Sequence, residues 1–186
     1  LNEGNSIQIT NPANGEYLNF NIPKFKTIAS NLPFVPFEKI SDADWRYVET
    51  IHDIVQETTS VSLSNRNDYY SFIVFALHRI LDEGGRLGII TSNSWLGTTA
   101  GREFFRALGY YYKIEQIHLS NSARWFNNAN VITVISILTK RMIVGAPLQD
   151  ENTTFCSWQK SLTELRENES DVETIVNSAL LNRELD

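Results

Sequence analysis

Cysteine is almost absent from this chain. Cys156 stands alone, which excludes an internal disulfide and fits a reducing cytosol. Long hydrophobic runs are also missing: no stretch reaches about 18 apolar residues, so no membrane-spanning helix is expected. The first residues, Leu1-Asn2-Glu3-Gly4, lack the basic and apolar regions of a secretory signal. They also lack an initiator methionine, so the chain reads as an excised piece of a longer cytoplasmic protein. The three histidines, His52, His78 and His118, are scattered without metal-ligand spacing, and core or surface roles suit them better than ligation. The acidic pairs Asp42/Asp44 and Asp82/Glu83 fall at helix ends, where carboxylates serve capping and dipole roles rather than acid–base chemistry. There is no internal repeat and no low-complexity tract.

What is present suits one domain, or one domain with a tail. The 186 residues are 42% hydrophobic, enough for a sizeable core. The net charge of −6 is unevenly spread. Residues 102–141 carry Arg102, Arg106, Lys113, Arg124, Lys140 and Arg141 against Glu103 and Glu115, a local +4. Residues 142–186 carry Lys160, Arg166 and Arg183 against nine acidic residues, a local −6. The basic middle is either a phosphate-facing surface or an ordinary solvated one. The acidic tail argues against phosphate contact there.

Strand and helix signals alternate. A strand is expected over 24–30. A helix follows Ser41-Asp42-Ala43-Asp44, with Trp45, Val48, Ile51, Ile54 and Val55 at helical spacing. After a polar loop over 61–66, an apolar helix starts near Asp68, runs to Leu81 and is stopped by Gly84-Gly85. Residues 87–91 read as a central parallel strand. Thr98 or Thr99 caps a helix reaching Leu108 and ended by Gly109. Residues 114–119 and 131–138 pair as late strands. A short strand around 155–158 and helices within 161–182 complete the pattern, which predicts an α/β sheet with right-handed crossovers.

The most informative residues are Asn31-Leu32-Pro33-Phe34, directly after the run Phe25-Lys26-Thr27-Ile28-Ala29-Ser30. They put an amide, a stiff turn and a flat ring at the carboxyl end of a strand, where ligands bind in open α/β sheets. An amide beside a ring suits a flat, hydrogen-bonding substrate such as a nucleobase. Downstream lie Asp68-Tyr69-Tyr70-Ser71-Phe72, then Gly84-Gly85-Arg86-Leu87-Gly88, then Ser92-Asn93-Ser94-Trp95, and finally Phe126 before the strand over 131–138. This ordered set, over roughly residues 24–141, resembles the N6-adenine-specific DNA methyltransferases of restriction–modification systems, the Asn-Pro-Pro-Tyr/Phe type. One position departs from that signature: Leu32 stands where the first proline would be.

The resemblance implies the carboxyl half of an AdoMet-dependent methyltransferase Rossmann-like sheet, with an antiparallel late hairpin. Residues 1–141 would form that half, and 142–186 an acidic tail or the start of a following helical or recognition region. The amino half would carry a glycine-rich cofactor loop; only Gly4 and Gly15 precede Asn31, with no Gly-x-Gly among them. Asn31 and the main-chain carbonyl of Leu32 would accept from the adenine amine, with Pro33 stiffening the loop. Because Pro33 already restricts residue 32 to extended angles, Leu32→Pro is expected to be tolerated. Phe34 and Phe126 would stack on the extruded base, although Phe126 also suits a core position under the hairpin. Asp68 and Tyr69 would meet the cofactor, S-adenosyl-L-methionine, although a helix N-terminus explains Asp68 as well. Ser92-Asn93-Ser94-Trp95 either lines the pocket or forms a plain strand-to-helix loop. The implied partners are DNA, an upstream cofactor-binding segment, and restriction or specificity domains or subunits. A non-catalytic remnant, or a DNA-recognition or assembly module of the same fold, is the rival reading. Methylation of a protein glutamine or an RNA base is a further one.

Overall fold

The computed structural model describes residues 6–120, 125–126, 131–146 and 151–158. Its main sheet has five strands: β3 (Phe25–Asn31), β4 (Leu81–Ser92), β5 (Tyr112–Leu119), β6 (Thr133–Lys140) and β7 (Thr154–Ser157). Their order is β3-β4-β6-β5-β7. β3 runs parallel to β4, β6 is antiparallel to both β4 and β5, and β7 is parallel to β5. The expected late hairpin is therefore present, wedged into the sheet between parallel neighbours. β7 lies past the expected division at residue 141 and joins the same sheet. The expected helices within 161–182 lie outside the described residues.

Among the described residues three α-helices lie between the strands: α1 (Asp42–Thr59), α2 (Tyr70–Ile80) and α3 (Thr99–Tyr111). α1 starts where a capping oxygen is available, Ser41 accepting from the Asp44 amide at 3.2 Å. It ends at Ser60, whose left-handed φ of 59° is the usual stop. It buries Val48, Ile51, Val55 and Thr59, whereas Ile54, at helical spacing in the sequence, is turned to solvent. The three helices touch one another and share one core with Leu87, Ile89, Ile114, Ile117, Val134 and Leu138 of the sheet. Along β4 the period of two is clean. Leu87, Ile89 and Thr91 are buried under the helices, while Gly88 and Ile90 are half-buried on the other face. On that other face Gly88 pairs with Ile137, and Ile90 with Ile135. An apolar set on both faces is why the strand reads as one continuous hydrophobic run in the sequence.

Two boundaries differ from expectation. α2 stops at Ile80, four residues before Gly84, because Leu81 takes extended angles and pairs with Phe25 of β3. Gly84, at φ 65°, instead makes an irregularity inside β4, where the pairing shifts between Phe25 and Thr27. α3 is capped by Thr98, whose hydroxyl accepts from the Gly101 amide at 3.0 Å, as expected. It runs past Gly109 to Tyr111, and Gly109 is buried within it.

No element is expected before residue 24, yet β1 (Ser6–Thr10) and β2 (Tyr17–Asn21) form an antiparallel hairpin. Asn11-Pro12-Ala13-Asn14-Gly15 turns it, with Asn11 Oδ1 accepting from the Ala13 amide at 3.0 Å and Gly15 at φ 73°. Every residue of β2 is exposed, and the hairpin forms its own two-stranded sheet.

Candidate nucleobase site

The carboxyl end of β3 is fixed by its ladder to β4. Asn31 pairs with Ile90, so the two side chains emerge on the same face, opposite the helices. The strand's pairing extends one residue further: the Leu32 amide donates to the Ile90 carbonyl at 3.1 Å. Leu32 then turns into the core, only 4% exposed. Pro33 is exposed and Phe34 half-buried. The Val35 carbonyl accepts from the Tyr69 amide at 3.0 Å, which ties the loop to the start of α2. The Leu32 result corrects the expected tolerance of proline there. Proline has no N–H to give Ile90, and it would withdraw a buried side chain.

Phe34 meets Phe126 edge-to-face, with ring centroids 6.4 Å apart and planes at 80°. The two rings singled out in the sequence, 92 positions apart, are therefore neighbours. Phe126 also lines a cavity of about 190 Å³ with Ile90, Trp125, Ile135 and Trp158. Its floor is the Ile90–Ile135 pair, and Ile90 is the cross-strand neighbour of Asn31. Trp158, just past β7, donates its indole N–H to His118 Nδ1 at 3.2 Å, and His118 Nε2 lies 2.9 Å from Gln116 Oε1. An acceptor Nδ1 requires the neutral ring, and burial lowers the His118 pKa accordingly. Trp125 meets Trp158 edge-on at 6.0 Å.

The end of β4 carries a hydroxyl cluster. Asp68 Oδ2 accepts from Ser94 Oγ at 2.6 Å, and Ser92 Oγ lies 2.8 Å from Ser94 Oγ. The Tyr70 hydroxyl completes it at 2.7 Å from Ser94 Oγ. Burial raises the Tyr70 pKa, partly offset by these hydrogen bonds, so the phenol stays protonated. Asp68 thus faces the loop after β4. Tyr69, its sequence neighbour, turns elsewhere: its hydroxyl donates to Asp44 Oδ1 at 3.0 Å. Burial, then that bond, pushes its pKa up to about 12.

Of the residues expected at the site, Asn31, Leu32, Pro33, Phe34 and Phe126 come together at one sheet end. Asp68 lies at the adjoining strand end, and the Tyr69 hydroxyl is engaged with α1. Trp125, Trp158 and Tyr70 went unnoticed as site residues. A tryptophan beside Phe126 and another ending a short strand were the available signals. The three histidines lie apart: His52 contacts Asp53 and Ser62, His78 packs on Tyr111 and Tyr112, and His118 accepts from Trp158, which lines the cavity.

The basic stretch divides. Lys140 Nζ donates to the His78 and Leu81 carbonyls at 2.9 and 2.8 Å, and Arg141 binds Glu151 and the Gly109 carbonyl. Lys113 pairs with Glu115 at 2.9 Å. All three sit at the start of β5 or the end of β6, the sheet end opposite Asn31. Arg124 lies outside the described residues.

A parallel pair, an antiparallel strand inserted beside it and an Asn loop at the carboxyl end define an AdoMet-dependent methyltransferase Rossmann-like fold. Solved structures agree. A Listeria monocytogenes protein assigned to the class I S-adenosylmethionine-dependent methyltransferases aligns at TM-score 0.55 and 16% identity, over 87% of this chain and 44% of its own. The type I restriction–modification methyltransferase subunit of Streptococcus thermophilus aligns at 0.55 and 15%, over 88% of this chain and 33% of its own. The Type ISP restriction–modification enzyme LlaGI, solved with a DNA substrate mimic, aligns at 0.51 and 13%, over 86% of this chain and 14% of its own. The chain thus spans less than half the length of these structures. The family model described as Eco57I restriction-modification methylase matches residues 3–126, and the chain belongs to that family. No curated protein matches it. Among the described residues, no helix is long and apolar enough to cross a membrane.

Proposed function

We propose that this chain is the base-handling portion of a DNA adenine N6-methyltransferase of a restriction–modification system. The observation that carries the reading is the pairing of Asn31 with Ile90, which lines a cavity together with Phe126, the ring that Phe34 meets. An adenine amine is a poor nucleophile because its lone pair is delocalised into the ring. The Asn31 side-chain oxygen and the Leu32 carbonyl, aimed at its two N–H bonds, draw it toward a tetrahedral, nucleophilic state. Phe34 and Phe126 supply the ring faces that hold a base out of the stack. No strong general base is needed, because the proton leaves after transfer, so catalysis is mostly positioning. The partners on this reading are DNA, a cofactor-binding segment, and restriction or specificity subunits.

AdoMet supplies the methyl group when bound. The fit of these residues to it is partial. Asp68 is half-buried at the adjoining strand end and Tyr69 follows it, but no Gly-x-Gly occurs anywhere in the chain. The 186-residue chain is therefore expected to bind AdoMet weakly or not at all. A low-micromolar affinity by titration calorimetry would contradict this.

The test of the function is Asn31→Ala in the longest native protein that carries this chain. Asn31 is exposed, so folding should survive. Loss of one preorganised hydrogen bond lowers the rate roughly 100- to 1000-fold. Tritium transfer from labelled AdoMet to adenine in DNA measures it, and activity within a few-fold of wild type would end the assignment.

A further inference from the structure

We propose that the start of α3 carries a second DNA contact: Arg102 and Arg106 hold the phosphate backbone of the strand flanking the modified base, and Phe105 supports a neighbouring base. The proposal rests on the DNA reading above. Three observations carry it. First, of the cations in the basic stretch that the structure describes, only these two make no ion pair or side-chain hydrogen bond with a described residue. Lys113, Lys140 and Arg141 are engaged at the opposite sheet end.

Second, Arg102 and Arg106 are four positions apart, hence neighbours on one helix face, and both are exposed. Like charges at that spacing repel, and an anion lying against both removes the repulsion. A phosphodiester chain supplies such charge at regular spacing.

Third, Arg102 lines a cleft of about 240 Å³ with Trp95, Leu96, Gly97, Thr98 and Phe105. The Phe105 ring is 36% exposed and lies flat over Trp95, with centroids 6.1 Å apart and planes at 17°. A ring backed by a second ring and open to solvent is a stacking platform for a base. The cleft follows β4 by only a few residues. It therefore opens at the same sheet end as Ser92 and Asn31, where a strand delivering a base to Phe126 must pass. The approach of helix to loop is close: a Cβ at Gly101 would fall 1.5 Å from the Trp95 carbonyl oxygen.

The test measures binding of a short fluorescein-labelled DNA to the full 186-residue chain by anisotropy, across a salt series. R102Q/R106Q is expected to weaken binding about tenfold at low salt and to reduce the slope of log affinity against log salt by about 1 to 2. R102K/R106K should keep the slope, which separates charge from folding. Lys113→Gln, at the other sheet end, should leave both quantities unchanged. The proposal is overturned if R102Q/R106Q keeps the wild-type slope, if Lys113→Gln lowers it equally, or if the wild-type chain binds no DNA. Failure here leaves the methylation reading intact wherever Asn31→Ala still abolishes transfer in the longer protein.

Discussion

The two ends of the sheet use their polar groups differently. At the amino end, several cations are consumed by the fold itself. Lys140 reaches the His78 and Leu81 carbonyls, Lys24 reaches the Arg79 carbonyl, and Arg141 is clamped by Glu151. At the carboxyl end, an amide and two arginines are exposed, and rings meet around a cavity. A stretch of sequence that counts as uniformly basic is thus partitioned by topology. Antiparallel β6 returns Lys140 and Arg141 to the end where α2 stops and carbonyls need donors. The difference teaches that charge counted along a chain overstates the charge available to a partner.

The largest effect expected is at the site end. Leu32→Pro deletes a strand hydrogen bond and part of a buried side chain, for a loss of roughly 2–4 kcal/mol. Chemical denaturation of the chain measures it, and an unchanged midpoint would mean that this end is looser than its ladder implies. Next comes acid sensitivity at the opposite end. Burial, with Lys140 and Lys24 nearby, lowers the His78 pKa from 6.5 to about 4. Between those values the unfolded chain takes up a proton that the folded chain refuses, so stability falls as pH drops through that window. His78→Gln should flatten the decline; an equally steep decline in the variant would assign it elsewhere.

Lys140→Met keeps the apolar stem but removes two donors from carbonyls, at a cost of about 1–2 kcal/mol. It should also raise the His78 pKa, read by ring-proton NMR titration, because one neighbouring cation is gone. The smallest effect belongs to Lys113→Ala. Its pair with Glu115 is partly exposed, and thermal melting should place the change within about 0.5 kcal/mol. A larger drop would show that even the outermost cations at that end are structural.

Much of this was legible in the sequence because local and global signals agreed. Ser41 and Thr98 announced their helices, and the period-two pattern of β5 and β6 announced the late pair. Asn31 to Phe34 marked the candidate site, which remains a proposal, because turn chemistry followed a strand. The failures share a cause: long-range contact. Gly84-Gly85 looks like a helix stop, but the stop is set earlier, where Leu81 pairs with Phe25 of β3. Leu32 looks like a loop residue, yet its amide belongs to the ladder and its side chain to the core. The β1–β2 hairpin has period-two alternation, but its exposed apolar residues and turn sit in a segment with no helix to frame them. Trp125 and Trp158 become site residues only when β7 docks on β5.

The edge-to-face contact of Phe34 and Phe126 carries an energetic consequence. Such a pair is worth about 0.5–1.5 kcal/mol beyond its burial. One ring's edge lies against the other's face, so on the proposed reading a flat base would displace that edge in order to stack. Admission of a guest is then an exchange of partners rather than the filling of a void. On the proposed reading, the ring pair would set a threshold of that size for any base that stacks there.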